Sequence, residues 1–332
     1  MGYEVDLLSS ASGGGALCVR WGLPGNYKVL VYDGGTAESG ERLVAHIESS
    51  YLSSRVDYVV SSHPDSEHTA GLAVVLRRLQ VGALWMHRPW TRSAALRDKL
   101  RSAFRLEELA GRGNIPVHEP FKGARIGPFV VLSPNEQHYV DGLLPGFGQS
   151  PRRAAASGPA DPGAFFLKMK EWAGGPWRFE ALPNDAVTSA KNDASAVLYA
   201  SFAGNGVLLT GTAGIGALSA AAHYAERLGI HLPSSLRFLQ VPNHGHPGNV
   251  STEVLDRIVG VRVAKEERCY TKTAFVSVSR DAPQGAERVV ADALARRGAL
   301  TFATRGASLY HGHGMPARRW RTARPARNTD TA

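Results

Sequence analysis

Short apolar runs, each closed by a turn-forming segment and followed by a stretch with helical spacing, recur along nearly the whole chain. That alternation restricts the chain to an α/β architecture. "ALCVRWG" (16–22) and "YKVLVYDGG" (27–35) meet through the Pro-Gly turn of "LPGN" and read as a hairpin. Helical spacing over 38–52 leads to a strand over 56–62, a helix over 69–80, a strand over 82–88, a long helix over 93–112 and a strand over 129–134. A second series follows: a hairpin from 195–202 and 207–211, a helix over 215–229, a strand over 236–242 and a helix over 250–259. It closes with a strand over 274–279, a helix over 285–298 and a strand pair, 299–304 with 307–312. Both halves run strand, strand, helix, strand without a short repeat, which predicts two sheets packed together with helices outside, in one domain over 1–312. From 135 to about 163 the pattern fails in a run of Gly, Pro and small residues, so a long loop or insertion is expected over about 135–190.

Composition excludes several classes. The 332 residues are 43% hydrophobic, enough for a sizeable core, and no apolar run approaches the roughly 20 residues that span a bilayer. "MGYEVDLLSSASGG" has acidic residues and no basic segment leading an apolar core, so no secretory leader is expected. Cys18 and Cys269 both sit in strand-like runs and are expected to be buried free thiols, which points to a cytoplasmic protein without membrane partners. The formal charge is +9. Met315 to Ala332 holds five arginines against Asp330, a net +4, and is expected to be a disordered basic tail. A balance of this sign points to a polyanionic partner or to compositional drift in a chain rich in Ala and Arg.

The chemistry concentrates in "SSHPDSEHTAGL" (61–72), with two histidines and two carboxylates in six consecutive positions between a strand and a helix. Imidazoles and carboxylates are the usual ligands of zinc, with bonds of about 2.0–2.2 Å. Pro64 disfavours a helical His63. If the stretch stays extended, alternation puts His63, Asp65 and Glu67 on one side, and His68 turns back as the next helix begins. Metal binding is the expectation.

The stretch also resembles the metal-binding signature of the metallo-β-lactamase superfamily, His-x-His-x-Asp-His followed by Gly. The variant beginning "HPD" resembles the metallo-β-lactamase-like domain of the bacterial DNA-uptake protein ComEC. "VLVYDGG", "NDASAVLYASFAGNGVLLTGTAG", "LQVPNHGHPGN" and "FVSVSRDAPQGAERVVADALARRGALTFATRGASLY" resemble further family segments in the family's order. The resemblance implies an α/β fold, the metallo-β-lactamase αββα sandwich of two mixed β-sheets packed face to face with helices outside. It implies metal ligands at His63, Asp65, His68 and His244, with Glu67 as ligand or general base. It gives Asp33 a place behind the motif, where it orients a ligating histidine, and puts Asn192 and Ser195 among polar residues near the site. The chain departs from the family at Glu67, where an Asp is usual; at Thr212, in place of an aspartate that bridges two metals; and at Asn243, in place of the first histidine of His-His-Gly. Ser133 falls where some relatives supply a histidine. With a bridging carboxylate gone, one ion is expected, Zn2+ first, with Mn2+ or Mg2+ as alternatives.

Such an ion would lower the pKa of bound water from 15.7 toward about 7 and polarise the oxygen under attack. Asp65 and Glu67 would serve the reaction and His246 would protonate the leaving group, unless it is only a turn histidine. The expected function is a metal-dependent hydrolase, a nuclease or phosphodiesterase acting on nucleic acid. Arg152 and Arg153 in the loop, with Arg318, Arg319 and Arg321 in the tail, would contact phosphates, and Trp172 and Trp177 would stack bases or pack in the interior. The alternative is a catalytically impaired member serving as an assembly or recognition subunit, with protein partners in a multi-protein system such as antiviral defence. Hydrolysis of a small lactone or thioester is a third reading.

Overall fold

The computed structural model describes residues 1–10, 15–148, 180, 182–184, 186–282 and 286–316. Two seven-stranded mixed sheets with helices make up these residues, which is the composition expected of the αββα class. The first sheet contains β1 (Gly2–Leu8), β2 (Ala16–Leu23), β3 (Asn26–Gly34), β4 (Arg55–Val60), β5 (Gln80–Trp85), β6 (Val117–His118) and β14 (Leu309–His313), in the order β14-β1-β2-β3-β4-β5-β6. Its β14-β1-β2-β3 half is antiparallel, and β3 through β6 run parallel. The second sheet contains β7 (Arg125–Ile126), β8 (Phe129–Ser133), β9 (Val197–Phe202), β10 (Asn205–Leu209), β11 (Leu236–Gln240), β12 (Lys272–Val276) and β13 (Ala299–Ala303), in the order β13-β12-β11-β10-β9-β8-β7. The main helices are α1 (Ala37–Ser50), α2 (Ser66–Arg78), α3 (Arg101–Arg112), α4 (Ile215–Arg227), α5 (Thr252–Ile258) and α6 (Ala286–Ala295).

The chain divides into two compact units. One holds Met1–Val131, Ser277–Ala282 and Thr304–Ala323; the other holds Leu132–Val276, Pro283–Ala303 and Arg324–Ala332. Alternating strand residues and one helix stripe fill the interior of the first, with Val5, Leu7, Val19, Leu30, Ile47 and Leu72 buried. Leu198, Leu208, Phe238 and Phe275 do the same in the second, where the Phe238 and Phe275 rings meet edge to face with centroids 5.0 Å apart. Among the described residues no helix is long and apolar enough to cross a membrane.

Both predicted hairpins form, and the predicted helices of 38–52, 69–80, 215–229, 250–259 and 285–298 appear within a few residues of their expected limits. Five differences have physical causes. The expected strand pair 299–304 with 307–312 separates: β13 adds parallel to β12, while β14 pairs antiparallel with β1, Tyr3 opposite His313. β1 is an additional strand whose Glu4 and Asp6 are fully buried because partners from neighbouring elements meet them. The expected helix over 93–112 breaks at Leu100 (φ −114°, ψ 38°), which leaves a single turn, Leu96–Lys99, before α3. Residues 136–148 are helical, opening under an Asn135 cap, where an unpatterned loop was expected. Cys269 is exposed in a loop, so only Cys18 is the buried free thiol expected of both.

One close approach in the first unit governs the rest. A Cβ on Gly71 of α2 would lie 2.0 Å from the Gly34 carbonyl oxygen, and one on Gly34 would lie 2.3 Å from the Leu72 nitrogen. Gly40 of α1 is equally tight against Gly71. The bare backbones let the Gly71 N–H donate to the Gly35 carbonyl at 2.9 Å, which clamps α2 onto the end of β3. Gly71→Ala is therefore expected to cost about 1–3 kcal/mol by overpacking, measured by urea unfolding. Gly216→Ala on α4, where a Cβ meets nothing within 4 Å, should instead gain about 0.5–1 kcal/mol.

Candidate metal centre

Asp33 is the second-last residue of β3, with a left-handed φ of 57°, and Gly35 (φ 63°) completes the turn toward α1. β4 ends at Val60, and five residues later Asp65 stands at the N-cap of α2. The parallel neighbours β3 and β4 thus deliver Asp33 and the His63 segment to the same end of the sheet, where sites in parallel sheets form. Because α2 begins at Ser66, Glu67 and His68 lie on its first turn. The extended alternation expected through Glu67 therefore stops at Asp65.

Asp33, His63 and His68 are all buried, and their potential ligand atoms lie within 4.8 Å of one another. The two imidazole rings are 4.4 Å apart, centroid to centroid. Asp33 Oδ1 accepts from the Ser62 backbone N–H at 2.8 Å, Oδ2 accepts from the Ser62 hydroxyl at 2.6 Å, and Oδ2 lies 3.3 Å from His68 Nδ1. Since the Ser62 hydroxyl donates to Asp33, its oxygen accepts from His63 Nδ1, 2.8 Å away. One carboxylate therefore favours a proton on Nδ1 of both imidazoles, so that the neutral form of each ring carries its lone pair on Nε2.

Those Nε2 atoms face the motif's carboxylates. His63 Nε2 is 3.8 Å from Asp65 Oδ2, and His68 Nε2 is 4.0 Å from Glu67 Oε1. Ligands on a tetrahedral zinc with bonds of about 2.0–2.2 Å sit some 3.3–3.6 Å apart; the donors of Asp33, His63 and His68 lie within 4.8 Å of one another, and Asp65 and Glu67 each approach one of the two imidazoles from the start of α2. Asp65 caps no backbone N–H of α2. The Glu67 side chain is 65% exposed, whereas that of His68 is 4% exposed, which puts Glu67 on the solvent side of the cluster.

The same carboxylates set the protonation of the centre. Burial pushes His68 down, but the contact with Asp33 and the charges of Asp33, Glu67 and Asp65 outweigh it and hold His68 above its usual 6.5. Burial pushes Asp33 up, and His68, His63 and Ser62 together pull it below 3.8.

His244, His246, Asn192, Ser195 and Thr212 lie in the second unit. Asn243, His244 and Gly245 take φ values of 43°, 55° and 74° in succession, a costly backbone path for the first two. Asn249 secures it: its side-chain carbonyl oxygen accepts from Asn243 Nδ2 at 2.9 Å, and its own amide donates to the carbonyls of Thr212 and Ala213 at 2.9 and 3.1 Å. The buried Thr212 hydroxyl lies 3.0 Å from Ser195 Oγ, which also accepts from the Thr212 N–H at 3.1 Å. The Ser195 N–H in turn donates to the Asn192 carbonyl at 3.0 Å. His246 Nδ1 accepts from the Gly248 N–H at 3.2 Å, so it caps its own turn. Ser133 closes β8, buried. Arg152, Arg153, Arg318, Arg319 and Arg321, together with Trp172 and Trp177, lie outside the described residues.

Sequence reasoning had singled out neither Ser62 nor Asn249. Ser62 directly precedes His63 in "SSHPD", and that adjacency is the signal a hydroxyl relay leaves. Asn249 in "PGNV" has no comparable mark, because its partners come from 36 and 37 residues away.

No family model matches the chain, and no curated protein does. Two solved structures are similar at low level. A Thermotoga maritima protein described as a metallo-beta-lactamase aligns at 9% identity and a TM-score of 0.36, over 69% of this chain and 86% of its own. The Flv1 flavodiiron core from Synechocystis sp. PCC6803 aligns at 10% identity and a TM-score of 0.33, over 91% and 83%. At these scores neither likeness bears on family or activity, and the case for a metal rests on the donors themselves.

Three outcomes follow for the centre. In metal-stripped protein the raised His68 pKa contributes stability that is full below pH 6.5 and fades as pH rises through the folded value; the lowered Asp33 pKa contributes above 3.8 and fades as pH falls. His246 and His311, both held below the usual 6.5 by desolvation, act in the opposite direction. The expected outcome is therefore comparative: on going from pH 6 to pH 8, the thermal midpoint of stripped wild-type protein should fall more, or rise less, than that of Asp33→Asn. Zinc competes with the proton on His68, so zinc affinity should run the opposite way, rising from pH 6 to pH 8 by calorimetry. Ser62→Ala should weaken zinc binding by about 10–100-fold with little change in fold by circular dichroism.

Proposed function

We propose that this protein is a metal-dependent hydrolase of nucleic-acid phosphodiesters, with one divalent ion, zinc first, held by His63, Asp65 and His68, and with Glu67 as a further ligand or as general base. The observation that carries the reading is the relay from Asp33 through Ser62 to His63, and directly to His68, which leaves two buried imidazoles with Nε2 atoms 3.8 and 4.0 Å from the carboxylates of Asp65 and Glu67. A divalent ion in such a set supplies Lewis-acid polarisation and acidifies water. The protein's part is positional. Asp33 and Ser62 hold the imidazole protons on Nδ1, and Asp65 closes the cluster at the start of α2. Glu67, exposed at the rim, is placed to take a proton from an incoming nucleophile.

The substrate follows from charge. A net +9, with +4 of it in the last 18 residues, favours a polyanion over a small lactone or thioester. A second reading, a catalytically impaired assembly or recognition subunit with protein partners, is favoured by one observation: Thr212, where the resemblance expects a bridging aspartate, has its hydroxyl and N–H engaged with Ser195.

Incubating labelled single- and double-stranded DNA and RNA with the protein and a panel of divalent ions distinguishes them. Cleavage should require added metal and be lost in His63→Ala, while DNA binding persists. Deleting Met315 to Ala332 should reduce the salt dependence of binding, by up to about four in the log–log slope. Fragments unchanged in His63→Ala would come from a contaminating nuclease. No fragments with any ion, and binding insensitive to salt, would favour the assembly subunit.

A further inference from the structure

A second group of ligand-type side chains lies in the first unit, on strands and a helix that contribute nothing to the relay of Asp33. Asp6 on β1 and Cys18 on β2 are direct partners in the antiparallel register, so their side chains leave the same face of the sheet. His46 reaches them from α1. Asp6 and Cys18 are fully buried, and His46 is buried as well. The three donor atoms lie within 4.8 Å of one another. His46 Nε2 is 2.9 Å from Asp6 Oδ2, and the Tyr51 hydroxyl, just past the end of α1, is 2.6 Å from the same oxygen and 3.3 Å from Cys18 Sγ.

We infer that Asp6, Cys18 and His46 form a structural zinc site, with the Tyr51 hydroxyl as the neighbouring fourth oxygen. A thiolate, an imidazole and a carboxylate are each a preferred zinc ligand, and closed sites of this kind are made of such sets. Bonds of about 2.0–2.3 Å place tetrahedral donors some 3.3–3.8 Å apart, within a side-chain adjustment of the observed spacing. Charge supports the assignment. Glu4 and Arg20, the other buried charges beside the cluster, are already paired with each other, and Arg20 lies over the Tyr27 and Tyr51 rings at 4.5 and 4.7 Å. Zn2+ with the Cys18 thiolate, the Asp6 carboxylate and a neutral His46 sums to zero, the balance that a buried site requires. The ion would tie β1, β2 and the C-terminal half of α1 together at one point.

Cobalt reads this site separately from the first, because none of His63, Asp65, Glu67, His68 and His244 carries sulfur. Chelator-treated wild-type protein titrated with Co2+ should develop the near-ultraviolet thiolate-to-cobalt absorption, and one equivalent of Zn2+ should remove it. Cys269→Ser should keep the band and Cys18→Ser should lose it. His63→Ala should leave it in place, so failure of the proposed hydrolase site does not affect this test. Zinc should also raise the thermal midpoint of His63→Ala. Absence of a thiolate band in folded wild-type protein overturns the inference without reference to any core variant. A band that disappears in Cys269→Ser overturns it equally.

Discussion

The Asp33 carboxylate is the anchor on which the candidate site depends. A charge buried this deeply is tolerated only when every nearby donor is used. Asp33 receives the Ser62 N–H, the Ser62 hydroxyl and the approach of His68 Nδ1. Satisfying one anion in this way fixes the β4–α2 connection, the tautomers of two histidines and the direction of both Nε2 atoms. The arrangement requires α2 to reach the end of β3 at backbone distance, and only the side-chain-free surfaces of Gly34, Gly40 and Gly71 permit that. Packing and the geometry of the cluster are thus one constraint, since a methyl group at Gly71 would displace His68 along with the helix.

The second unit shows the same economy by different means. Its left-handed Asn243–His244–Gly245 turn is held by the Asn243 N–H, which donates to the Gly211 carbonyl, and by the buried Asn249 side chain, which spans to the carbonyls of Thr212 and Ala213. Thr212 bonds to Ser195, and Ser195 to Asn192. Asn243, Thr212 and Ser195 are therefore each tied into the unit's own framework. That fact accommodates a supporting role in catalysis and a purely structural role alike, so the donors around His63 carry the functional reading.

The Asp6, Cys18 and His46 cluster offers a contrast. Around Asp33 the carboxylates at the start of α2 include the exposed Glu67, and the cluster opens toward solvent. Around Asp6 all the donors are enclosed by strand and helix. An open donor set suits an ion that must meet substrate, and a closed one suits an ion that holds elements together.

The succession of elements is legible in the amino-acid order, since hydrophobic period and turn chemistry are local properties: both hairpins, five helices and the segment holding the site residues of the first unit follow from it. The ligand types are legible too, because two imidazoles and two carboxylates within six residues stay close together however the chain folds elsewhere. Pairing across the fold is a different matter. Residues 299–304 and 307–312 look like a hairpin because they are strand-like and adjacent. They join different sheets because β12 and β1 offer the registers that bury Ala299 and Leu309. The relay through Ser62 and the span of Asn249 were likewise settled by groups 29 to 37 residues distant. No strand was expected over Gly2–Leu8, and its Glu4 and Asp6 are fully buried because Arg20, His46 and Tyr51 converge on them from other elements. Periodicity records which way a side chain faces, but whether a charge can remain there depends on partners that only the folded chain assembles.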